Sequence, residues 1–533
     1  MIGRSINLTQ RLRLRPGRSW RSAVVACAIV MAPAGAGGAE LAAFPGAVGQ
    51  GAAAVGGRGG DVYHVTTLDD YHPRRDEKIP GSLRDAIRSA DGPRTIVFDV
   101  GGTIALKAPL PIERDKLTIA GQTAPGPGVT LWGYPVEIDD AADVVVRYLR
   151  IRLGDFHARE YPGSKRQTFP GNKDLDAGSA NALDIGQSRR VIVDHVSTSW
   201  GMDETLSVTR SRDVTVQHCI IAASLNDSFH PKGPHGFGTL IRGVLSPEDQ
   251  QQSAGGYSFV GNLWAHHRAR NPSVGGEQHL APGKSEDERR RCDVNLVNNV
   301  VFDWGDGATH RSELGQVRIN LVGNYYVCGP AKGSRTVFRG DPKAPTQLFH
   351  SGNYLDDDQN AKHDGGLLAG AGAVRSFDRL EDKDRLVDGE GGSPFGFYGD
   401  LAKSAVAAPA AYRGVVVGAG CSLNRDAVDR RLIAELRRRQ GTLLDSQEEL
   451  RGADGLLAGI DDVEPARRPA GFDTDGDGMP DEFERRYGLD LRDPADGAKR
   501  TLNSEGYTNL EVYLHELVDR STGEAKLSVR HSD

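Results

Sequence analysis

One short pattern recurs through the middle of the chain: an apolar strand, a polar or Asn position, then another apolar residue. It occupies Val144–Leu149, Val191–Val196, Val214–Cys219, Ser258–Leu263, Asn295–Val300, Asn320–Tyr325 and Leu348–Tyr354. Taking positions 148, 195, 218, 262, 299, 324 and 353 as equivalent, the steps are 47, 23, 44, 37, 25 and 29 residues. One unit of 23 to 25 residues, sometimes doubled and sometimes carrying an insertion, accounts for them. A period of that length marks a solenoid, in which each turn buries its apolar face against its neighbours. The strands are rich in Val and Ile and the turns hold Gly, Asn and Asp, so each coil is β rather than helical. The Leu-x-x-Leu-x-Leu signature of a leucine-rich horseshoe is absent, and so are the longer Trp-Asp units of a propeller. Asn262, Asn299, Asn324 and Asn353 fall at one place in the coil. They are expected to stack as an amide ladder.

A 533-residue chain exceeds one ordinary core, and an elongated repeat domain with additions is one way to use that length. Arg11, Arg13, Arg15, Arg18 and Arg21 precede an apolar run, Ala23 to Ala32, and then the small residues from Ala34 to Ala39. That order reads as a secretory signal over residues 1–39, and the run is too short for a good membrane span. Removing this segment takes away six arginines and no acids, moving the net charge from -7 to -13. A mature protein that acidic is a poor general nucleic-acid binder. It would also repel a polyanion unless cations line the groove. Cys219, Cys292, Cys328 and Cys421 are widely spaced, which permits either two disulfides or four isolated thiols. Two insertions, Gly154 to Ala180 and Asn271 to Arg291, interrupt the coils and are natural sites for binding.

The mature chain opens with Ala43-Phe44-Pro45-Gly46-Ala47-Val48-Gly49 and continues through Gly56-Gly57-Arg58-Gly59-Gly60-Asp61. Pro80-Gly81-Ser82-Leu83-Arg84-Asp85, Arg94-Thr95-Ile96-Val97-Phe98 and Ile119-Ala120-Gly121-Gln122-Thr123-Ala124-Pro125-Gly126 follow. Together, from about Phe44 to about Ser446, these resemble the pectate lyase family that includes the bacterial extracellular lyases. The resemblance implies an all-β, right-handed parallel β-helix over residues 40–400. It also implies a secreted enzyme that cleaves a pectate-type acidic polysaccharide by calcium-assisted β-elimination. Locally, Ser82 suits the N-cap of a short helix at Leu83 that could plug the open end of the solenoid.

β-Elimination removes a weakly acidic carbon-bound proton beside a carboxylate, so cations must take up the developing charge and a base must lie on the proton. The stretch Asp194-His195 to Trp200-Gly201-Met202-Asp203-Glu204-Thr205-Leu206-Ser207 resembles the family's calcium-ligand strand. By position Asp203 matches a ligand, while Ser207 stands where a second acid is usual. Asn181, in Asn181-Ala182-Leu183-Asp184, stands where the family has Asp. Asp184 and Glu204 could compensate, so Asn181, Asp184, Asp203 and Glu204 are the expected metal set. Arg270, before Asn271-Pro272, resembles the family's proton-abstracting arginine. Because guanidinium is normally charged, its alternative role is to stabilise the enolate-like intermediate. Gly275 occupies the place of a further family arginine. Lys232, in Phe229-His230-Pro231-Lys232-Gly233-Pro234-His235, resembles the lysine that grips substrate. His235 and Arg268 are further substrate-binding candidates. His195 and His218 are expected to pack between coils.

The tail carries a separate signal. Asp473, Asp475, Asp477, Asp481 and Glu484 take positions 1, 3, 5, 9 and 12 of an EF-hand-type loop with Gly at position 6. A small calcium module over residues 471–520 is expected, resembling those appended to secreted bacterial proteins. Between it and the coils, Val428, Leu432 and Leu436 share one face of an amphipathic helix in a flank segment, residues 401–455. Two rival readings remain: a polygalacturonase-like hydrolase, whose Asn-Thr-Asp, Gly-His-Gly and Arg-Ile-Lys motifs are missing, and a non-catalytic carbohydrate-binding solenoid. No membrane partner is expected after signal cleavage, and a monomer is expected.

Overall fold

The repeat folds as a stack of parallel strands. The computed structural model describes residues 40–160, 172–243, 255–277, 282–285, 291–312, 315–331, 335–341, 346–358, 360, 362–369, 376–378, 385–388 and 392–522. The proposed signal, residues 1–39, lies outside them, as do parts of both insertions. On one face of the coil, Ile96, Ile119, Val146, Val193, Val216, Phe259, Leu296 and Leu321 form a file across successive strands. All eight are buried. Each such side chain contributes on the order of 1.5–3 kcal/mol of apolar burial, and the next coil continues the file. This is the parallel β-helix expected from the repeat.

The file next to that one carries Arg147, Asp194, Gln217, Val260, Val297, Val322 and Ser351. The residue after each turns the chain with φ between 50° and 65°: Tyr148, His195, His218, Gly261, Asn298, Gly323 and Gly352. The asparagines of the ladder come one place later. Tyr148, His195 and His218 are therefore equivalent to the turn residues, not to Asn262, as the sequence spacing had suggested. The left-handed turn suits Gly and Asn best, and here it also accepts bulky rings because they stack coil on coil. Tyr148 lies 4.7 Å from His195, and His195 4.9 Å from His218. The ladder itself is continuous. Each Asn Oδ1 accepts from the backbone N–H and the side-chain amide of the Asn before it, at 2.9–3.0 Å from Asn262 through Asn299 and Asn324 to Asn353.

One end and one flank are covered. Helix α1 (Leu83–Arg88) starts at Ser82, whose hydroxyl accepts from the Asp85 N–H, and it buries Leu83, Ala86 and Ile87 at the end of the core. Helices α2 (Ala408–Gly418) and α3 (Ala427–Arg438) belong to the flank. α3 buries Val428, Leu432 and Leu436, the face read from sequence. The tail helices α4 (Asp481–Tyr487) and α5 (Asn509–Thr522) return to the first coils. There Glu511 pairs with Arg58 at 2.7 Å. From Leu41 onward the described residues form one compact unit. The four described cysteines are free thiols rather than disulfides.

The sheet that matters for function runs β1 (Leu110–Ile112), β2 (Val136–Asp139), β3 (Leu183–Gly186), the first half of β4 (Glu204–Gln217), β5 (Phe237–Gly243), β6 (Ser273–Gly275) and β7 (Thr309–Arg311). All pair in parallel.

Candidate active site

Strand alternation decides which side chains this sheet presents. In β2, Val136 and Ile138 point into the core, so Glu137 and Asp139 point out. Register then places Glu137 beside Asp184, and Asp184 beside Ser207. Two carboxylates thus stand on adjacent strands, about 4.8 Å apart in the pairing direction. Burial, together with the charge of Asp184, pushes the Glu137 carboxyl up to about 7. Burial also pushes Asp184 up to about 6, against the hydrogen bonds it receives from Asn181 and Ser207. Among the described residues Glu137 makes no hydrogen bond or ion pair. Hard oxygen donors that lack a protein cation suit a divalent cation such as calcium.

The remaining expected ligands divide. Asn181 uses both ends of its amide within the site: Nδ2 donates to Asp184 at 2.8 Å, and Oδ1 accepts from the Glu204 N–H at 2.8 Å. It orients Asp184 and has its oxygen engaged. Glu204, expected to bind metal, is instead committed to Arg270, whose guanidinium donates to its Oε1. The reason is burial: the Glu204 side chain is 2% exposed, and a carboxylate removed from water needs a cation or donors beside it. Asp203 faces His235 Nε2 at 3.0 Å and His230 Nε2 at 3.8 Å. Those three groups lie close enough to share one ion. However, His230 Nδ1 accepts from the Lys232 N–H, so in the neutral ring Nε2 carries the proton and has no lone pair to offer.

A run of rings links Asp203 to Arg270. His230 stacks on His235 at 3.6 Å, and His235 meets the edge of Phe237 at 4.2 Å. The Arg270 guanidinium lies 4.0 Å above the face of Phe237. Phe237 and Glu204 pair across β4 and β5, so ring and carboxylate hold the guanidinium from two sides. The chain separates Asp203, Lys232 and Arg270 by dozens of residues, yet all three are attached to this one edge of the sheet. Lys232 is exposed on the loop between His230 and His235. Among the described residues its ammonium makes no hydrogen bond or ion pair. Arg268 braces that loop, donating to Pro234 O at 2.8 Å and pairing with Asp306 at 2.7 Å, so its guanidinium is tied down at the rim rather than held out to a ligand.

The tail site is more strongly built than its motif suggests. Asp473, Asp475 and Asp477 converge. Burial and neighbouring acids push Asp477 up to about 8 and Glu484 up to about 7. Buried oxygens of Asp475, Asp477, Glu484 and Asp496 have no hydrogen-bond partner. Asp481 does not join them. It accepts from the Thr474 N–H and hydroxyl and pairs with Arg485 at 3.0 Å, stiffening the loop. Asp496, from the turn after α4, stands in its place. This donor set also fits a hard cation.

Glu137, which stands beside the expected ligand Asp184, and the acid Asp496 are what the sequence reading missed. Val136-Glu137-Ile138-Asp139 does alternate apolar and acidic, the one signal that could have exposed the first. No family model matches the chain. Among curated proteins it is 35% identical to a protein of Neosartorya fischeri named "Probable pectate lyase C", over 90% of this chain and 94% of that one. A protein of the same name from Aspergillus terreus is 33% identical over 90% of this chain and 95% of that one. Among solved structures, a pectate lyase from Bacillus in complex with trigalacturonate aligns at 15% identity and a TM-score of 0.42, covering 70% of this chain and 98% of its own. Pectate Lyase C from Erwinia chrysanthemi aligns at 14% identity and 0.36, covering 71% and 97%. With at least 33% identity to these curated proteins along nine-tenths of its length, the chain belongs to the pectate lyase C family.

Proposed function

We infer that this protein is a polysaccharide lyase that cleaves pectate by β-elimination. One observation carries this reading in a chain of this family. A pair of cation-hungry carboxylates, Glu137 and Asp184, shares a sheet face with a guanidinium fixed by Glu204 and Phe237. Calcium is the proposed cofactor, held by Glu137 and Asp184 with Asp203 at the edge. Bound there, it would neutralise a uronate carboxylate and make the adjacent C–H more acidic. Arg270 then stabilises the enolate-like anion that forms as the proton leaves. Its pairing with Glu204 favours the charged guanidinium, which makes it a poor proton acceptor. The proposed proton acceptor is the Lys232 amine on the adjacent loop, because an amine is a better general base than a guanidinium. The pair of electrons from the C–H bond forms the new double bond, and the glycosidic oxygen departs.

The test is direct. Purified protein with polygalacturonate and calcium is expected to generate an unsaturated, ultraviolet-absorbing product, and a chelator is expected to abolish it. New reducing ends without that absorbance would mean a hydrolase, and neither signal would mean a binder.

The tail is proposed as a second calcium site, EF-hand-like, made by Asp473, Asp475, Asp477, Glu484 and Asp496. Its role is to fasten the tail to the first coils. Glu484→Gln is expected to remove most of the rise in thermal midpoint that calcium gives the wild type, while activity at low temperature persists. An undiminished calcium shift in this variant would rule the site out. Residues 1–39 are proposed to direct export and to be removed. Among the described residues, no helix is long and apolar enough to cross a membrane. Residues 40–400, 401–455 and 471–520 are proposed as lyase domain, flank and calcium module.

A further inference from the structure

A second meeting of nitrogen and oxygen donors lies at a corner of the coil. The active-site side chains stand on the first half of β4 and its neighbours, whereas this corner follows the second half. There the strand Arg189–Asp194 pairs in parallel with the end of β4 and sets Asp194 beside Gln217. The chain turns at the next residue of each strand, His195 and His218, so two imidazoles leave successive coils at the same place. Their ring centroids are 4.9 Å apart. Asp194, His195 and His218 each offer one ligand atom, and these atoms lie within 4.8 Å of one another.

Asp194 is buried and has donors of its own. Arg147 Nε donates to Oδ2 at 2.7 Å, and Gln217 Nε2 donates to Oδ1 at 2.9 Å. These partners hold it as a carboxylate and fix its plane, as outer-shell groups do for a ligating acid, and each oxygen keeps a further lone pair. The histidines fit it less well. The His195 side chain is 4% exposed, and its Nδ1 lies 2.9 Å from Asp194 Oδ2 yet makes no hydrogen bond: near enough for one, but not aligned for it. His218 Nδ1 reaches Oδ1 only at 3.4 Å. Two ring nitrogens thus converge on one carboxylate, and only a long hydrogen bond joins them to it. A cation among the three would satisfy every group. The spacing suits one, because ligands about 2.0–2.1 Å from a tetrahedral ion stand roughly 3.3 Å from each other.

We propose that Asp194, His195 and His218 form a site for a divalent transition metal of the zinc type, separate from both calcium sites. Two imidazole nitrogens with one carboxylate suit zinc and its neighbours, whereas calcium takes oxygen donors. The His218 side chain is 39% exposed, which gives the ion a way in and leaves a position for water. Arg147 already shares Asp194, so the imidazoles carry most of the affinity. Because His195 and His218 belong to different coils, the ion would cross-link one coil to the next, a structural role independent of the lyase chemistry.

The test is metal binding by the full chain, stripped with a chelator and dialysed against zinc in excess calcium, which fills the oxygen sites. Zinc per chain would be measured for wild type, His218→Gly, His195→Asn and His235→Ala. The first two variants borrow residues that the same turn carries in later coils, Gly261 and Asn298, so they preserve the backbone. Wild type is expected to hold one zinc more than either of them. Cobalt in place of that zinc should give a visible absorption band that both variants lose. His235→Ala is the control for the group of Asp203, His230 and His235 at the groove, and it should keep the zinc that the other two lose. No zinc on the wild type, equal zinc on wild type and His218→Gly, or a loss confined to His235→Ala would overturn the site. If His195→Asn fails to fold, His218→Gly, at the more exposed position, decides the matter alone.

Discussion

Replacing Arg270 with Ala is expected to lower the turnover of pectate by about a hundred- to a thousand-fold, the usual cost of removing one preorganised donor from a developing oxyanion. The preorganisation is visible. Phe237 supports one face of the guanidinium at 4.0 Å, and the buried Glu204 carboxylate holds one of its nitrogens. Neither partner must reorganise when charge appears on the substrate. Arg270→Lys keeps a positive charge but loses the planar fork and the ring contact, so it should recover only a minor part of the rate. Glu204→Gln separates the two roles open to Arg270. If neutral guanidine were the proton acceptor, removing its carboxylate partner would ease deprotonation and carry the acid limb of the kcat profile to lower pH. With Arg270 as stabiliser, kcat falls and the limb stays in place. A rate in Arg270→Ala within about threefold of wild type would remove this residue from the mechanism.

Asp429→Ala is expected to cost about 3–5 kcal/mol of stability, the range found when one partner is taken from a buried charge network. Asp429 and Asp426 lie at the start of α3 and both bind Arg152, at 2.7 and 2.8 Å. All three side chains are at most 2% exposed. Asp429 also accepts from Ser197 at 2.6 Å, on the next strand of the coil. Removing it leaves a guanidinium under the helix with half its compensation and leaves a hydroxyl without its acceptor. The double change Arg152→Met with Asp429→Leu should recover most of the loss, because two apolar groups need no partner. Urea unfolding followed by circular dichroism reads both. A loss below about 1 kcal/mol in Asp429→Ala would show that α3 is held by its apolar face alone.

How far the sequence could be read depended on what kind of constraint each residue met. The asparagine ladder was legible because the same amide must meet itself one coil away, which forces a repeating Asn before an apolar residue. The turn before it was misaligned at Tyr148, His195 and His218. A left-handed residue there is selected by backbone conformation, and rings that stack between coils satisfy it as Gly and Asn do. At the site, Asp203, Lys232 and Arg270 could be named from motifs. The partners that fix their chemistry came from register. Nothing in Val136-Glu137-Ile138-Asp139 reveals that β3 will set Asp184 beside Glu137. Glu204 was misread because its burial, which commits it to Arg270, is a property of the stacked coils. Asp496 escaped notice because α4 and the turn after it, rather than any fixed spacing, bring it to the loop.

The return of the tail to the first coils changes how the rod can come apart. A stack of parallel strands would ordinarily fray from its terminal turn, where each strand has one neighbour instead of two. Here a short strand, Ala466–Arg467, runs antiparallel along Val100–Gly101, and Arg58 grips Glu511 across the same seam. Tension applied between the two ends of the folded chain would therefore fall on this seam before any turn could peel. A protease working inward from the last residues would have to open the same seam before it reached the rest of the rod.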